Sequence, residues 1–539
     1  MKYINGHIID NSPETTYTKQ VSLEHRKKFA QFFTPVSIAE LLTKWLSGNE
    51  NLQTVLEPAF GLGIFTRTLL SKKKNEIEIK GFEVDSVIFE QAKNELGNKV
   101  NLLLEDYMYN DWDNKYDGIV CNPPYFKFHD YDNKNMLKEI EKHLKCKLNG
   151  FTNLYTLFLL KSIYQLKPNG RCAYIIPSEF LNSDYGKLVK QHLLKTGTLR
   201  HIVVFNFEEN IFDDALTTAC IVLCANDHKT NKVQLTNIQS INELNKIDEL
   251  IENYPEISNN SNIYSLSKLD PEIKWKTYYQ PQNGHKFKNL VPFSTYAKVV
   301  RGIATGANDY FTFNLAKAEA NKINGKYLLP CICHCADVKG NKFTDSDFEK
   351  LKQQGKNVYL FNAVDTKDEN VLNYIKKGEA NNINKRFLTA SRTPWYSLEK
   401  RSPAPIWVSV FNRTGLRFVR NEANISNLTT FHCIYPQTNM FSDVSIELLF
   451  AYLLTDTAQQ IFNDNSREYG NGLQKFEPND LNKGMMLDLE TLPKNIKIKI
   501  EELYEKYSTE QRRYFVDEID NLLIKNFIQI DEYFKKYNN

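Results

Sequence analysis

A hydrophobic stretch of the chain ends in four residues whose types could bind and activate a planar amine. Residues 117–125 read Asp-Gly-Ile-Val-Cys-Asn-Pro-Pro-Tyr, so a predicted strand stops at Asn122. The side-chain carbonyl of Asn122 and the backbone carbonyl of Pro123 can each accept a hydrogen bond from an amine on an aromatic ring. These bonds favour a more tetrahedral nitrogen with a reactive lone pair. Tyr125 can stack on the substrate ring, which contributes about 1–3 kcal/mol when that ring is a nucleic-acid base.

The two prolines fix these groups before any substrate arrives. Neither has an N–H and each fixes its own φ, while Pro124 directs Pro123 toward an extended conformation. Preorganised acceptors are effective because they need no rearrangement during the reaction. A plain β-turn is the alternative interpretation, since Asn-Pro pairs are common in turns. The complete tetrapeptide after an apolar strand favours amine chemistry, on a substrate such as adenine.

The composition indicates a folded protein with more than one domain. Its 539 residues are enough for two or three hydrophobic cores. The net charge of +3 means that nucleic-acid binding would depend on local basic patches. Nine scattered cysteines, an odd number, favour reduced thiols in a cytoplasmic protein. We see neither a signal peptide nor an apolar run of the ~20 residues that a membrane span needs, so no membrane partner is expected.

The first half of the chain alternates predicted strands with predicted helices. This alternation predicts an α/β fold with a doubly wound, mostly parallel sheet, in which ligands bind at the carboxyl ends of strands. Strands are predicted at residues 55–56, 77–82, 100–104, 118–121, 171–176, 199–205, 218–224 and 232–238. Helices are predicted at residues 63–71, 86–96 and 153–166.

Three successive predicted strands before Asn122 end in acidic residues. Glu57 is followed by Gly61-Leu62-Gly63, and its carboxylate suits a cofactor with an ammonium group. Glu83 lies about 20 residues after these glycines, a spacing typical of an acid that binds a ribose diol. Asp106 and Tyr107 end the next strand and could hydrogen-bond and stack against a cofactor adenine.

Each of these features has a simpler alternative. A Gly-x-Gly pair is also typical of a tight strand-to-helix turn, and Glu83 could be a solvated strand end or a helix cap. The third glycine of the dinucleotide fingerprint is missing, which disfavours NAD. Acids at three strand ends, followed by Asn-Pro-Pro-Tyr on the fourth, favour one shared binding site.

Together these motifs resemble a known family, the gamma-class (TaqI-type) N6-adenine-specific DNA methyltransferases of type II restriction–modification systems. The resemblance is specific over about residues 25–240. It rests on Gln31-Phe32-Phe33-Thr34-Pro35, Glu57-Pro58-Ala59 with Gly61 and Gly63, Glu83, Asp106, Asn122–Tyr125, Asn153–Phe158, residues 166–177, Asn210-Ile211-Phe212-Asp213 and residues 217–222. One departure is Tyr107, where the family often has phenylalanine; stacking survives that change.

The resemblance implies a seven-stranded Rossmann-like methyltransferase sheet and roles for individual residues. Asn122 and Pro123 would bind the amine of a flipped-out adenine, with Tyr125 and Phe212 on its two faces. The cofactor would be S-adenosyl-L-methionine, whose sulfonium is already an activated leaving group, so no metal is needed. Its pocket would be lined by Thr34, Glu57, Ala59, Gly61, Gly63, Glu83, Asp106, Tyr107, Pro124 and Phe158.

The C-terminal half contains a basic and aromatic stretch that suits contact with double-stranded DNA. Residues 385–420 carry eight Lys or Arg side chains against the single acid Glu399, with aromatic residues between them. The alternative is a solvated face above aromatic core residues. Residues 301–308 and 472–478 also resemble, more loosely, parts of the family's recognition domain. The predicted DNA-binding residues are Arg301, Arg386, Arg392, Arg401, Arg413 and Arg417.

We predict four segments. Residues 1–245 form the catalytic domain, and 246–290, rich in Asn, Ser and Pro, form a linker. Residues 291–485 form a mixed α+β target recognition domain, and 486–539 form a C-terminal helical segment that serves packing or presents a solvated face. Cys331, Cys333 and Cys335 could suggest zinc, but structural zinc sites have a second, distant pair of ligands. We therefore expect no metal there, and the role of these cysteines stays open.

The expected function is site-specific adenine methylation of DNA, which would protect host DNA from a cognate restriction endonuclease. The chain contains no nuclease motif, so any such endonuclease would be a separate protein, and we expect a monomer. Two alternatives stay open: a methyltransferase acting on RNA bases or protein glutamine, because Asn-Pro-Pro-Tyr also serves amide nitrogens, and a DNA-binding module with an inactive core. The sequence around the target adenine is not legible from the chain.

Overall fold

The chain folds into two compact units. In the computed structural model, the described residues are 3–4, 7–8, 10–72, 77–205, 218–256, 262–363, 366–413, 415–437, 444–469 and 473–529. The first unit contains residues 1–281 with 468–472, and the second contains residues 282–467 with 473–539.

The first unit is an α/β domain. Its helices are α1 (Ser12–Gln20), α2 (Leu23–Lys28), α3 (Val36–Ser47), α4 (Ile64–Lys72), α5 (Ser86–Leu96), α6 (Asn133–Leu144), α7 (Leu154–Tyr164), α8 (Gly186–Thr196), α9 (Leu244–Asn253) and α10 (Lys276–Tyr279). Its strands are β1 (Tyr3–Ile4), β2 (His7–Ile8), β3 (Thr54–Glu57), β4 (Glu78–Glu83), β5 (Asn101–Leu104), β6 (Tyr116–Cys121), β7 (Leu166–Pro177), β8 (Leu199–Phe205), β9 (Ala219–Ala225), β10 (Lys232–Ile238) and β11 (Ile263–Ser265).

A nine-stranded sheet forms the centre of this unit, in the order β11-β10-β8-β9-β7-β6-β3-β4-β5. The pairs from β7 through β6, β3 and β4 to β5 are parallel, as is the pair of β8 with β10. Strand β9 runs antiparallel to both β7 and β8. The predicted doubly wound, mostly parallel sheet is therefore confirmed.

The predicted strand number of seven is wrong for the described sheet. Strands β3–β9 account for seven, and β10 and β11 extend the sheet beyond β8. Strand β11 pairs antiparallel with β10 and lies within residues 246–290, the segment predicted to be a linker. Because β11 occupies a sheet edge, this part of the segment belongs to the first unit, and the division between the units falls after residue 281.

The sheet is covered on both faces, which explains why its central strands are almost wholly apolar. Every residue of β6, β8 and β9 is buried. One hydrophobic cluster includes Leu157 and Leu160 of α7, and another includes Leu42 and Trp45 of α3. These layers fix the strands so that β3, β4, β5 and β6 bring their carboxyl ends to one edge of the sheet.

The second unit is a mixed α+β domain, as predicted. From residue 282 onward the helices are α11 (Asn308–Phe311), α12 (Leu315–Ala320), α13 (Asp345–Gln353), α14 (Glu369–Ala380), α15 (Phe387–Ala390), α16 (Ile446–Leu453), α17 (Asp456–Asn463), α18 (Pro478–Asn482), α19 (Lys494–Glu510) and α20 (Arg513–Phe527). The strands are β12 (Leu290–Pro292), β13 (Ala297–Arg301), β14 (Thr312–Phe313), β15 (Leu328–Ile332), β16 (Lys342–Phe343), β17 (Tyr359–Phe361), β18 (Ile406–Ser409), β19 (Phe411–Asn412), β20 (Phe418–Asn421), β21 (Ser426–Asn427), β22 (Phe431–Pro436), β23 (Arg467–Tyr469), β24 (Leu473–Lys475) and β25 (Met485–Leu487). The last two residues of β23 are assigned to the first unit.

Its two largest sheets have five strands, β13-β22-β18-β20-β16, and four strands, β14-β17-β15-β21. Helices α19 and α20 pack into the same hydrophobic cluster as α16, through Ile500, Leu503, Ile519 and Leu523. Among the helices of the described residues, none combines the length and the apolar character that a membrane crossing requires. All nine cysteines are free thiols.

Candidate functional site

A cavity of about 240 Å³ opens at the carboxyl ends of β3, β4, β5 and β6. Side chains from four separate stretches of sequence meet there because adjacent parallel strands end at the same edge. Among the predicted site residues, its lining includes Thr34, Glu57, Ala59, Gly61, Glu83, Asp106, Tyr107, Asn122, Pro124 and Phe158. Most of the residues predicted to bind the cofactor therefore line one contiguous cavity.

Glu57, at the end of β3, is a buried carboxyl group. Its Oε2 accepts hydrogen bonds from the backbone N–H of Thr66 at 3.1 Å and from the Thr66 hydroxyl at 2.6 Å. Burial is the main reason that the pKa of Glu57 rises to about 8. A cation bound in the cavity would favour its ionised form.

Glu83, at the end of β4, holds the glycine turn that follows β3. Its Oε2 accepts a hydrogen bond from Gly61 N–H at 2.9 Å, and its Oε1 accepts from the N–H groups of Val84 at 2.8 Å and Asp85 at 2.9 Å. Burial raises the pKa of Glu83 despite these three bonds. The carboxylate is therefore fixed in orientation at the wall of the cavity.

The glycine turn itself needs both glycines. Gly61 has φ +55° and Gly63 has φ +70°, a region that residues with a Cβ rarely adopt. A Cβ on Gly63 would also lie 2.6 Å from the ring of Phe60. Gly63 is absent from the cavity lining, so the structure gives it a role in the turn and in packing.

Asp106 and Tyr107 follow β5. Asp106 Oδ1 accepts a hydrogen bond from Met108 N–H at 2.8 Å, and burial raises the pKa of Asp106. The Tyr107 hydroxyl, the group that phenylalanine would lack, donates a hydrogen bond to Gln165 Oε1 at 2.5 Å and is therefore satisfied. Its ring centroid lies 5.2 Å from that of Phe158, so these two aromatic rings form one wall.

Asn122 is oriented by a segment that precedes it by 90 residues. Its Nδ2 donates to the backbone carbonyl of Phe32 at 2.7 Å and to Thr34 Oγ1 at 3.1 Å. Because the Phe32 carbonyl can only accept, the amide nitrogen must face it. Asn122 Oδ1 is then buried with no hydrogen-bond partner among the described residues. A buried acceptor left unpaired lowers the stability of the fold by about 1–3 kcal/mol. Such acceptors are unusual in folded proteins unless a ligand uses them.

Tyr125 lies beside this amide. Its hydroxyl donates to the backbone carbonyl of Ile175 at 3.4 Å, and its ring stacks on Phe32 with centroids 5.4 Å apart and planes 19° apart. Pro123 is buried between Asn122 and Pro124. Neither Pro123 nor Tyr125 is part of the cavity lining, and the predicted opposing aromatic, Phe212, lies outside the described residues.

Phe32 and Glu14 are the main residues that the sequence interpretation left without a role. Phe32 lines the cavity and contacts both Asn122 and Tyr125. Glu14 also lines the cavity and forms an ion pair with Arg67. Phe32 is part of the motif Gln31–Pro35, which resembles a cofactor motif of the family, so the sequence already pointed to this segment. Glu14 lies outside every recognised motif.

The predicted DNA-binding arginines differ in what they contact. Arg392 donates to the backbone carbonyls of Thr305 and Ala304, and Arg417 donates to those of Val338 and Cys335. These guanidinium groups hold the second unit together internally. Arg401 is paired with Glu399 at 2.7 Å, and Arg413 is exposed.

Two of the six predicted arginines meet at one groove of the second unit. Arg301 pairs with Glu477 at 2.9 Å, and Arg386 pairs with Asp309 at 2.8 Å. Lys475 also lines this groove, beside Phe411, whose side chain is 55% exposed. By contrast, Trp407 and Phe418 are buried, so for these two aromatics the alternative of core packing is the correct one.

The cysteine cluster at residues 331–335 is part of the second unit's interior. Cys331 and Cys333 are buried, and Cys335 Sγ accepts a hydrogen bond from Arg417 at 2.9 Å. Within the described ranges no group of three or more His, Cys, Asp or Glu side chains is placed to hold a metal ion. The buried thiols of Cys331 and Cys333 pack inside the second unit, and Cys335 contributes a hydrogen bond to it.

Two family models match the chain, one in each unit. Residues 10–212 match the family described as Eco57I restriction-modification methylase. Residues 282–524 match the family described as Type II methyltransferase M.Eco57I, C-terminal domain. A solved structure of the Type IIL restriction-modification enzyme MmeI in complex with DNA is similar in fold, with a TM-score of 0.53 and 14% identity, over 97% of this chain and 75% of that one.

Two type II methyltransferases match the sequence over different shares of its length. The Type II methyltransferase M.HincII of Haemophilus influenzae is 23% identical over 52% of this chain and 52% of its own. The Type II methyltransferase M.AccI of Acinetobacter calcoaceticus is 66% identical over 98% of this chain and 98% of its own. The predicted methyltransferase family is thereby confirmed. At this identity over almost its full length, the chain belongs to the type II methyltransferases of restriction–modification systems.

Proposed function

We propose that this methyltransferase transfers a methyl group to the exocyclic N6 amine of an adenine flipped out of duplex DNA, at a specific sequence. The observation that carries the proposal is the amide of Asn122. Its nitrogen is held by Phe32 and Thr34, and its oxygen is buried without a partner in the described part of the chain. An N–H donor of the substrate would satisfy that oxygen.

S-adenosyl-L-methionine is the cofactor of this methyltransferase, and we infer that it binds in the cavity of the first unit. The cavity suits it because carboxyl groups of Glu57, Glu83 and Asp106 line one space with the rings of Tyr107 and Phe158. Glu57 would bind the ammonium group, Glu83 the ribose hydroxyls, and Asp106 with the two rings the adenine. Thr34, Ala59, Gly61 and Pro124 would complete the wall. When bound, the cofactor supplies a methyl group activated by its sulfonium.

The protein's own contribution to the reaction is to prepare the amine. Asn122 Oδ1 and the Pro123 carbonyl would each accept a hydrogen bond from one N–H group of the adenine amine. These hydrogen bonds would direct the two amine protons away from the nitrogen lone pair. Tyr125 and Phe212 would stack on the base, so the base plane is fixed relative to these acceptors. Preorganised acceptors in a site that excludes water are strong because no solvent must reorganise.

Duplex DNA is the substrate that both units support best. A base inside a duplex is inaccessible, so an enzyme acting on it must extrude the base. The groove with Arg301, Arg386 and Lys475 offers cations and an exposed aromatic ring for the duplex. The solved structure of MmeI is a DNA complex, and its fold extends over both units of this chain. We infer a monomer in the cytoplasm that protects host DNA from a separate cognate endonuclease.

Methyl transfer with labelled S-adenosyl-L-methionine tests this function directly. Purified protein is incubated with DNA, RNA or a cell protein extract, and the label in each polymer is measured. We expect label in duplex DNA alone. Label in RNA or at protein glutamine would support the alternative substrates, and no transfer at all would support a DNA-binding module with an inactive core.

Cofactor binding is expected to release a proton from Glu57. Because the pKa of Glu57 is about 8, its carboxyl group is mostly protonated in the free protein near neutral pH. A nearby ammonium group favours the carboxylate. Calorimetric titration with S-adenosyl-L-methionine, at about pH 6.5 in buffers of different ionisation enthalpy, should show release of about one proton. Glu57→Gln cannot ionise, so proton release that persists in this variant would contradict the assignment.

Arg301→Ala and Arg386→Ala are each expected to weaken binding to duplex DNA at every sequence. A phosphate contact contributes about 0.9 to the slope of log affinity against log salt concentration, so each variant should lower that slope by about this amount. Arg512→Ala is the control, because Arg512 is an exposed arginine whose ion pair with Glu510, at 3.4 Å, lies away from the groove that Arg301 and Arg386 line. Salt slopes equal to that of the unmodified protein would exclude both residues from the DNA contact.

A further inference from the structure

The aromatic ring of Phe32 covers one side of Tyr125, the residue assigned above to the face of the target base. The two ring centroids are 5.4 Å apart and the planes differ by only 19°, which is the arrangement of an offset stack. A flat base needs the same kind of surface at the same kind of distance. Phe32 and a base therefore cannot both lie against this face of Tyr125 as the structure stands.

Phe32 is also next to the group that would bind the base amine. Its backbone carbonyl accepts the hydrogen bond from Asn122 Nδ2 at 2.7 Å. Asn122 Oδ1, on the other arm of the same amide, is buried and has no partner within the described residues. An acceptor meant for an incoming amine is thus shielded from solvent, which indicates that the base site is closed in this structure.

Of the two stacked rings, Phe32 has fewer constraints, although both rings are partly buried and pack against the cluster that includes α3. Tyr125 packs against both hydrophobic clusters that flank the sheet, meets Tyr155 edge-on at 6.2 Å, and bonds to the carbonyl of Ile175 in β7. Phe32 lies between the end of α2 and the start of α3, within residues 31–35, which have no regular secondary structure.

We propose that Phe32 is a placeholder for the target adenine, and that the base enters by displacing its ring from Tyr125. This proposal rests on the function proposed above. The exchange replaces one aromatic stack with another, so its net free-energy cost is small. Until the base arrives, the ring keeps water from the Tyr125 face and from Asn122 Oδ1. Phe32 thereby acts as a positioning residue, because it preserves the dry site that the amine enters.

Phe32→Ala removes the aromatic ring but keeps the backbone carbonyl that orients Asn122. The variant therefore tests the role of the ring alone. The matched control is Phe33→Ala, which removes a neighbouring ring that contacts Tyr17 at 5.7 Å. Both rings line the cofactor cavity, so affinity for S-adenosyl-L-homocysteine is measured for each variant as a test of folding. Phe32→Trp provides a second test, because a larger ring should compete more strongly with the base.

The experiment compares two duplexes that carry the protein's methylation site, one intact and one lacking only the target base. With S-adenosyl-L-homocysteine present, Phe32→Ala should bind the intact duplex roughly 2- to 13-fold more tightly than the unmodified protein, the range expected for one aromatic pair. Its affinity for the abasic duplex should be unchanged, because no base is present to compete. Phe32→Trp should weaken binding of the intact duplex alone.

Other outcomes would overturn the proposal. Equal changes on both duplexes would mean that Phe32 affects the fold or the cofactor site in general. Weaker binding of the intact duplex by Phe32→Ala would mean that Phe32 is a permanent wall of the base site. If the unmodified protein does not methylate the intact duplex, the proposed function fails first, and that failure is visible before any variant is compared.

Discussion

Asn122→Ala is expected to lower the rate of methyl transfer by at least about 100- to 1000-fold, the usual effect of removing one preorganised group that stabilises a transition state. The reason is that Asn122 Oδ1 would accept a hydrogen bond from an N–H group of the amine. This oxygen has no other partner among the described residues. Single-turnover transfer of labelled methyl groups to site-containing DNA measures this rate independently of product release.

Cofactor affinity serves as the control for Asn122→Ala. The variant also removes the hydrogen bond to Thr34 Oγ1, but the carboxylates of Glu57, Glu83 and Asp106 remain, so affinity for S-adenosyl-L-methionine should change little. Asn114→Ala, at an exposed position of the same unit, is the matched substitution and should transfer normally. Transfer by Asn122→Ala within a few fold of the unmodified rate would refute the proposed role of the amide.

Glu83→Ala is expected to weaken S-adenosyl-L-methionine binding by about 10- to 100-fold, because hydrogen bonds to a carboxylate contribute about 1.5–3 kcal/mol each. The substitution would remove the acceptors proposed for the ribose and also the bond to Gly61 N–H that holds the glycine turn. Equilibrium titration of the purified variant measures the dissociation constant.

Glu78→Ala is the matched control for Glu83→Ala. Glu78 begins the same strand, β4, at its opposite end and is exposed, so its loss should leave the dissociation constant unchanged. Saturating cofactor should restore much of the transfer rate of Glu83→Ala, since the amine-binding residues are intact. An unchanged dissociation constant would exclude Glu83 from the cofactor site.

Many residues of the cavity could be predicted from the sequence because each belongs to a short local pattern at the end of a strand. Glu57, Glu83, Asp106 and Asn122 each end a predicted strand, and adjacent parallel strands must bring their ends together. The same patterns predicted the doubly wound sheet. They missed its extension by β11, because three residues in a polar segment carry too little periodicity to identify an edge strand.

Contacts between distant residues were beyond any local pattern. The bond from Asn122 Nδ2 to the Phe32 carbonyl joins residues 90 positions apart, and the Phe32–Tyr125 stack is equally non-local. The basic stretch 385–420 shows the same limit. A count of arginines does not reveal that Arg392 and Arg417 bind backbone carbonyls, whereas Arg386 lines an open groove.

The identity of the methylated nucleoside tests the central claim most directly. Duplex DNA is incubated with the protein and labelled S-adenosyl-L-methionine, digested to nucleosides, and separated by chromatography with mass detection. We predict that the label is found in N6-methyladenine and that Asn122→Ala lowers its rate of formation by at least about 100-fold. Label in N4-methylcytosine, or in protein with none in DNA, would contradict the assignment of Asn122–Tyr125 to a flipped adenine.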